Sequence, residues 1–254
     1  MSVAERSAGT KPKEHGGIGE TIKVIIQALL IALVFRTFLY HPFNIPSGSM
    51  MPTLLVGDYL FVSKFSYGYS RYSFPIDLPF VRGRVFGSAP ERGDVAVFRL
   101  PRDPSTDYIK RVVGLPGDKI QVKDGVLFIN GEAVKRERVD DYIGQTPFGQ
   151  TVRIRQYRET MPNGVSYLTL DMTETGEKDN TEVYEVPPGH YFMMGDNRDN
   201  STDSRFLQFV GYVPEENLVG RAEIIFFSVD EDARPWAVWQ WPETLRVGRF
   251  FDLL

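Results

Sequence analysis

The sequence predicts a mainly β protein: an antiparallel sheet of barrel-like build carrying an inserted β-rich cap, preceded by one N-terminal transmembrane helix. Three observations predict this. Residues 24–35 form an apolar run interrupted only by Gln27. From residue 58 onward, short alternating or apolar runs are broken by Gly, Pro and Asp, the pattern of half-buried strands joined by tight turns. Between about 135 and 187 the chain turns more polar, yet it still contains a hairpin pattern, which reads as an insertion on the main β domain.

Composition narrows the chemistry. At 254 residues the chain is long enough for one sizeable or two modest cores. A net charge of −4 without a dense basic stripe argues against nucleic acid as a partner. There is no cysteine, so disulfides, thiolate metal sites and a cysteine nucleophile are excluded. The histidines, His15, His41 and His190, lack metal-ligand spacing. His15 lies in a polar tail and His41 beside the apolar run, which disfavours a Ser-His mechanism. Neither a metal nor another cofactor is expected.

Residues 1–20 are polar and aperiodic and read as a short tail. Residues 21–40 read as a membrane anchor. The apolar run is shorter than the ~20 residues a spanning helix wants. Lys23 and Arg36 can snorkel, however, and residues 37–40 extend the apolar surface to an aromatic end. A cleaved leader would need a small-x-small site after the run, and residues 36–40 offer none. A buried amphipathic helix would show an apolar stripe, whereas here apolar residues surround the helix. Arg6, Lys11, Lys13 and Lys23 precede the run, and after Arg36 no Lys or Arg occurs until Lys64. Basic residues stay on the cytoplasmic side, so residues 41–254 are expected outside the cytoplasm.

Within 41–254 the expected strands are 59–63, 94–99, 108–113, 119–123, 126–129, 191–194 and 221–228. Asp124-Gly125 and Asn130-Gly131 are hairpin turn signals. Residues 152–158 and 166–171 should pair through Pro162-Asn163-Gly164. Trp236, Trp239 and Trp241 suit either a membrane interface or closure of the domain core.

Three stretches carry chemistry. In residues 43–62, Ser47-Gly48-Ser49 stands between Pro46 and Pro52, a stiffened loop whose bare Gly48 leaves the backbone approachable. That suits a nucleophile elbow or an anion-binding turn, although for this stretch taken alone an ordinary surface turn is the favoured reading. In residues 107–118, Lys110 and Arg111 are neighbours on an expected strand and should point to opposite faces. A lysine drawn into apolar surroundings has its ammonium form disfavoured and can serve as a general base; an edge lysine in water cannot. Residues 195–205, GDNRDNSTDSR, offer oxygens in a calcium-like alternation but lack the EF-hand Gly and Glu, and Arg198 and Arg205 bring positive charge. A polar network supporting a neighbour is the better reading.

Taken together and in this order, PSGSMMPTL, RGDVAVF (92–98), DYIKRVVGLPGD and GDNRDNSTDSR resemble the successive motif boxes of bacterial type I signal peptidases. The resemblance implies a membrane-bound serine endopeptidase that removes signal peptides from exported preproteins after small-x-small sites. Ser49 would be the nucleophile and Lys110 its general base. The oxyanion would be held by the Ser49 amide and the Ser47 hydroxyl. Ser201 would orient the lysine amine, Asp203 and Arg205 would form a supporting ion pair, and Arg111 would be structural. Phe43, Ile45, Pro46, Leu54, Leu60, Val97, Tyr108 and Ile109 would line the shallow pockets for small side chains. An extended substrate could pair with edge backbone near Ile45 and Asp107. The resemblance also implies a bacterial inner membrane location, with bilayer and preproteins as partners and export machinery nearby. The competing readings are a self-cleaving repressor-type protease, disfavoured by the anchor, and a non-catalytic tethered β-domain that scaffolds envelope proteins.

Overall fold

In the computed structural model, residues 17–74, 83–145, 150–230 and 238–254 are described. Helix α1 (Ile18–Phe38) begins three residues before the expected anchor, and only Thr37 along it is buried. Its 21 residues span about 30 Å at 1.5 Å per residue, the thickness of a bilayer's hydrocarbon core. It is the one described helix long and apolar enough to cross a membrane. The tail 1–16 and Trp236 lie outside the described residues.

Fifteen strands follow among the described residues. The first four are β1 (Tyr40–Asn44), β2 (Asp58–Ser63), β3 (Val95–Leu100) and β4 (Asp103–Gly114). Next come β5 (Lys119–Lys123), β6 (Val126–Ile129) and β7 (Glu132–Ala133). Within the more polar section follow β8 (Lys135–Arg138), β9 (Tyr142–Gln145), β10 (Thr151–Thr160) and β11 (Ser166–Asp171). The chain returns through β12 (Tyr184–Glu185), β13 (His190–Met194), β14 (Val213–Pro214) and β15 (Leu218–Ser228). The expected turns form with both residues at positive φ: 48° and 72° at Asp124-Gly125, 55° and 88° at Asn130-Gly131. These are the angles that match the twist of a tight hairpin.

The main sheet has seven strands in the order β1-β2-β15-β3-β4-β13-β14. The barrel-like expectation needs correcting, because no pairing among the described residues joins β1 to β14 and the sheet stays open. The two-residue β14 ends in Pro214, which has no N–H to extend a ladder. The sequence reading also missed β1. His41 and Pro42 interrupt its apolar pattern, and Pro42 is tolerated because β1 is an edge strand.

The expected hairpin forms from β10 and β11, and β8 and β9 join it in a four-stranded sheet. One core cluster packs Ile45, Met50, Leu54, Leu60, Val97, Ile109 and Ile225 between the sheet and the loop after β1. Leu54 and Leu60 are fully buried, and burial of such a side chain stabilises by about 1.5–3 kcal/mol. This packing fixes the floor beneath residues 47–53.

Candidate active site

Ser49 lies on a short 3-10 turn, Gly48–Met50, whose capping residue Ser47 is extended. At the start of such a turn backbone N–H groups have no intrahelical acceptor, so they are available to an incoming oxygen. Met50 is buried in the core cluster and pins the turn from below. Ser49 is itself only 8% exposed, and its Oγ lies 3.4 Å from the Oγ of the exposed Ser47.

Lys110 lies on β4, paired opposite Ala96 of β3. The strands on either side of the pair are not neighbours: β1 and β4 are separated by β2, β15 and β3. The turn beyond β1 instead carries Ser49 across the sheet face, and Lys110 Nζ reaches Ser49 Oγ at 2.6 Å. The same amine donates to the Ile109 carbonyl at 2.9 Å. Burial pushes the Lys110 pKa down to about 8, against the opposing pull of the Asp203 and Asp196 carboxylates. A serine hydroxyl bonded to an amine that gives up its proton this readily can be activated as a nucleophile.

Arg111, the next residue, points to the other face as strand geometry requires. Its Nε and Nη2 donate to the two oxygens of Asp196 at 2.9 and 2.7 Å, and Nη1 donates to Gly93 O at 2.7 Å. Burial lowers its pKa, but the Asp196 charge outweighs that and the net shift is upward.

The 195–205 segment backs the site. Asn197 N donates to Ser49 O at 3.1 Å and Asn197 Nδ2 to Gly48 O at 3.0 Å, so this segment clamps the serine turn. Gly195 passes so close that a Cβ there would overlap Ser201 Oγ and the Ser49 carbonyl. Asp203 accepts from Arg205 Nε and Nη2, both at 2.9 Å, and from Gly195 N at 3.0 Å. Burial would raise its pKa, yet Arg205 holds it below the ordinary carboxylate value. Asp199 accepts the amides of Met172 and Thr173 at 2.7 and 2.9 Å. Each carboxylate of the segment is thus engaged by donors of the protein, the arrangement of a polar network. Ser201 Oγ is buried and has no hydrogen-bond partner of good geometry among the described residues, though it lies near enough to Asp203 to help keep that carboxylate ionised. The expected bond from Ser201 to the Lys110 amine is not made; the amine's partners are Ser49 and Ile109.

Strands β10 and β11 also reach this segment. Arg198 donates to Glu159 of β10 at 2.6 Å, Tyr167 of β11 donates to the same carboxylate at 2.9 Å, and Leu170 N donates to Asp196 O at 2.9 Å.

In front of Ser49 opens a cleft of about 330 Å³, lined by Phe43, Pro46, Ser47, Asp107, Tyr108, Ile109 and Lys110, with Asn200 and Thr202. Of the expected pocket residues, Ile45, Leu54, Leu60 and Val97 do not line it. They are buried beneath, and they set its shape through the core cluster that also holds Ile109 and packs Phe43. Asn197, Asn200 and Thr202 were missed individually. They flank Ser201 inside a stretch already singled out, but only the fold shows which of its polar side chains turn toward the serine.

The signal peptidase, peptidase S26 family matches residues 18–227 of this chain. Among curated relatives, the signal peptidase I of Rickettsia typhi (strain ATCC VR-144 / Wilmington) is 42% identical over 248 residues, covering 89% of this chain and 90% of the relative. That of Rickettsia conorii (strain ATCC VR-613 / Malish 7) is 40% identical, covering 88% of each chain. That of Rickettsia prowazekii (strain Madrid E) is 41% identical, covering 89% of this chain and 90% of the relative. A match running from the anchor helix to the last strand of the main sheet shows that this chain belongs to the signal peptidase family, peptidase S26, as a membrane-bound serine endopeptidase that removes signal peptides.

Proposed function

We propose that Ser49 is the nucleophile of this peptidase and Lys110 its general base. The observation that carries the assignment is the 2.6 Å contact between Lys110 Nζ and Ser49 Oγ, made by an amine only 3% exposed. The neutral amine takes the Ser49 proton as Oγ attacks the scissile carbonyl. The developing oxyanion accepts from the Ser49 amide and the Ser47 hydroxyl. The ammonium then returns its proton to the departing amine, the peptide C–N bond breaks, and an acyl ester remains on Ser49. The amine, neutral again, deprotonates a water that hydrolyses the ester and restores Ser49. Asp203, Arg205 and Ser201 hold the lysine's surroundings, and Arg111 secures the 195–205 segment through Asp196.

The substrate enters extended beside β1 and β4. Within the main sheet β1 pairs only with β2, and residues 103–109 of β4 pair only with β3, so each offers backbone on its cleft side. The apolar walls Phe43, Tyr108 and Ile109 leave room for small side chains, which supports cleavage after small-x-small sites. The anchor holds the cleft near a bilayer in which the substrate's own apolar segment resides. By the distribution of basic residues, the domain from residue 41 lies outside the cytoplasm.

Ser49→Ala should lower preprotein cleavage on the order of 10⁴-fold or more, as loss of a nucleophile does, with the thermal unfolding transition intact. Retained cleavage by the purified, folded variant would refute the assignment.

A further inference from the structure

A second cavity, of about 220 Å³, opens between the end of α1 and the active-site cleft. Its walls carry Arg36, His41, Lys64 and Arg99, and Asp107 is the single carboxylate among them. Lys64 is 5% exposed. Its amine donates to the Ser73 carbonyl at 2.5 Å, and no carboxylate pairs with that amine among the described residues. Burying an ammonium without a counter-charge is costly. Burial pushes its pKa down to about 8, and Arg36 and Arg99 push the same way against Asp107. His41 shows the same crowding. Its Nδ1 is buried without a partner among the described residues, and burial together with Lys64, Arg36 and Arg99 lowers its pKa to about 4. Asp107 is already engaged by Arg99 at 3.2 Å, leaving an excess of positive charge with unfilled donor capacity.

We propose that this cavity binds the phosphate of an anionic phospholipid headgroup. An anion there would answer the charge excess and accept from Lys64 and Arg36. Position selects the lipid. Arg36 belongs to the last turn of α1, where a spanning helix meets the headgroups. An aromatic collar surrounds that end: Phe38 packs against Tyr69 and Phe74, and Tyr40 against Phe35, Phe61 and Phe65. Such rings sit at headgroup level. The helix's own C-terminal carbonyls would repel an anion, but the outermost are occupied: Tyr69 Oη donates to Phe38 O at 2.7 Å and Lys64 N to O of the capping Leu39 at 3.0 Å.

The test is native mass spectrometry of the full-length protein released from micelles containing equal phosphatidylglycerol and phosphatidylcholine. Wild type should retain one phosphatidylglycerol with at least tenfold preference. Arg36→Gln and Lys64→Met should each lose most of that preference while cleaving a short soluble peptide in detergent at the wild-type rate. Should Lys64→Met fail to fold, the exposed Arg36→Gln decides alone. Equal retention of the two lipids by wild type, or an undiminished preference in folded variants, overturns the proposal. Displacement of the lipid by millimolar inorganic phosphate would assign the cavity to free phosphate and overturn the lipid reading.

Discussion

Lys110 and Arg111 are consecutive, both cationic and both at least 95% buried, yet the fold treats them in opposite ways. Arg111 meets a carboxylate in a two-pronged bond, receives a third acceptor from Gly93, and stacks 4.2 Å over Tyr167. Lys110 meets a hydroxyl and a carbonyl. The carboxylates nearest to it, Asp203 and Asp196, are bonded to Arg205 and Arg111. A buried cation with its own counter-charge stays charged and structural, whereas one whose neighbours are already spoken for is driven toward neutrality. Burial lowers the Lys110 pKa, and the arginines, by occupying the acids, leave it without a counter-charge of its own.

Exchanging the chemistry of the two positions tests this most severely. Lys110→Arg keeps the positive charge but cannot give up its proton. It should lose cleavage on the order of 10⁴-fold or more, measured as kcat/KM on a preprotein, and activity returning at high pH would break the argument. Next in size, Asp196→Ala strands the Arg111 charge and should cost about 3–5 kcal/mol of unfolding free energy. A cost under 1 kcal/mol would mean that the pair contributes little.

Lys110→Met should have the opposite sign. The wild-type amine has a folded pKa of about 8 against 10.5 for an ordinary lysine. Below about 8 it is charged in both states and the burial penalty is felt in full. Between about 8 and 10.5 the unfolded chain binds the extra proton, so wild-type stability rises with pH. The methionine variant should therefore be more stable at pH 7, by up to about 3 kcal/mol. That advantage should shrink as pH climbs toward 10.5, as read by denaturant titration. The gentlest test is the pH profile of kcat/KM, which should rise about tenfold per unit and level off near pH 8 as the base becomes neutral. A flat profile from pH 6 to 9 would separate Lys110 from the chemistry.

Much of this was legible in the sequence, because its causes are local. The apolar run after residue 23, the strand alternation and the Asp-Gly and Asn-Gly turns all state their own conformations. The motif order located the residues now seen around Ser49. Other features depended on parts far apart in the chain. Lys110 was recognisable only as a lysine in an apolar run, since its charge state depends on which arginine takes which carboxylate across the sheet. Strand β1 was hidden because an edge strand carrying Pro42 has no apolar signature of its own. Trp239 and Trp241, either of which could have closed the core, are 73% and 39% exposed. The polar insertion showed no motif, yet its Glu159 and Tyr167 hold Arg198 behind the serine turn.

By itself, then, the sequence determined the anchor and the β character, and the resemblance its motif order carries singled out Ser49 and Lys110, since hydropathy, turn geometry and motif order are properties of short stretches. Only the tertiary structure decided that the sheet stays open, that the serine arrives on a loop, and that Ile45, Leu54, Leu60 and Val97 form the floor. Those outcomes follow from which edges remain unpaired and which charges are spent, and both depend on segments brought together from across the chain.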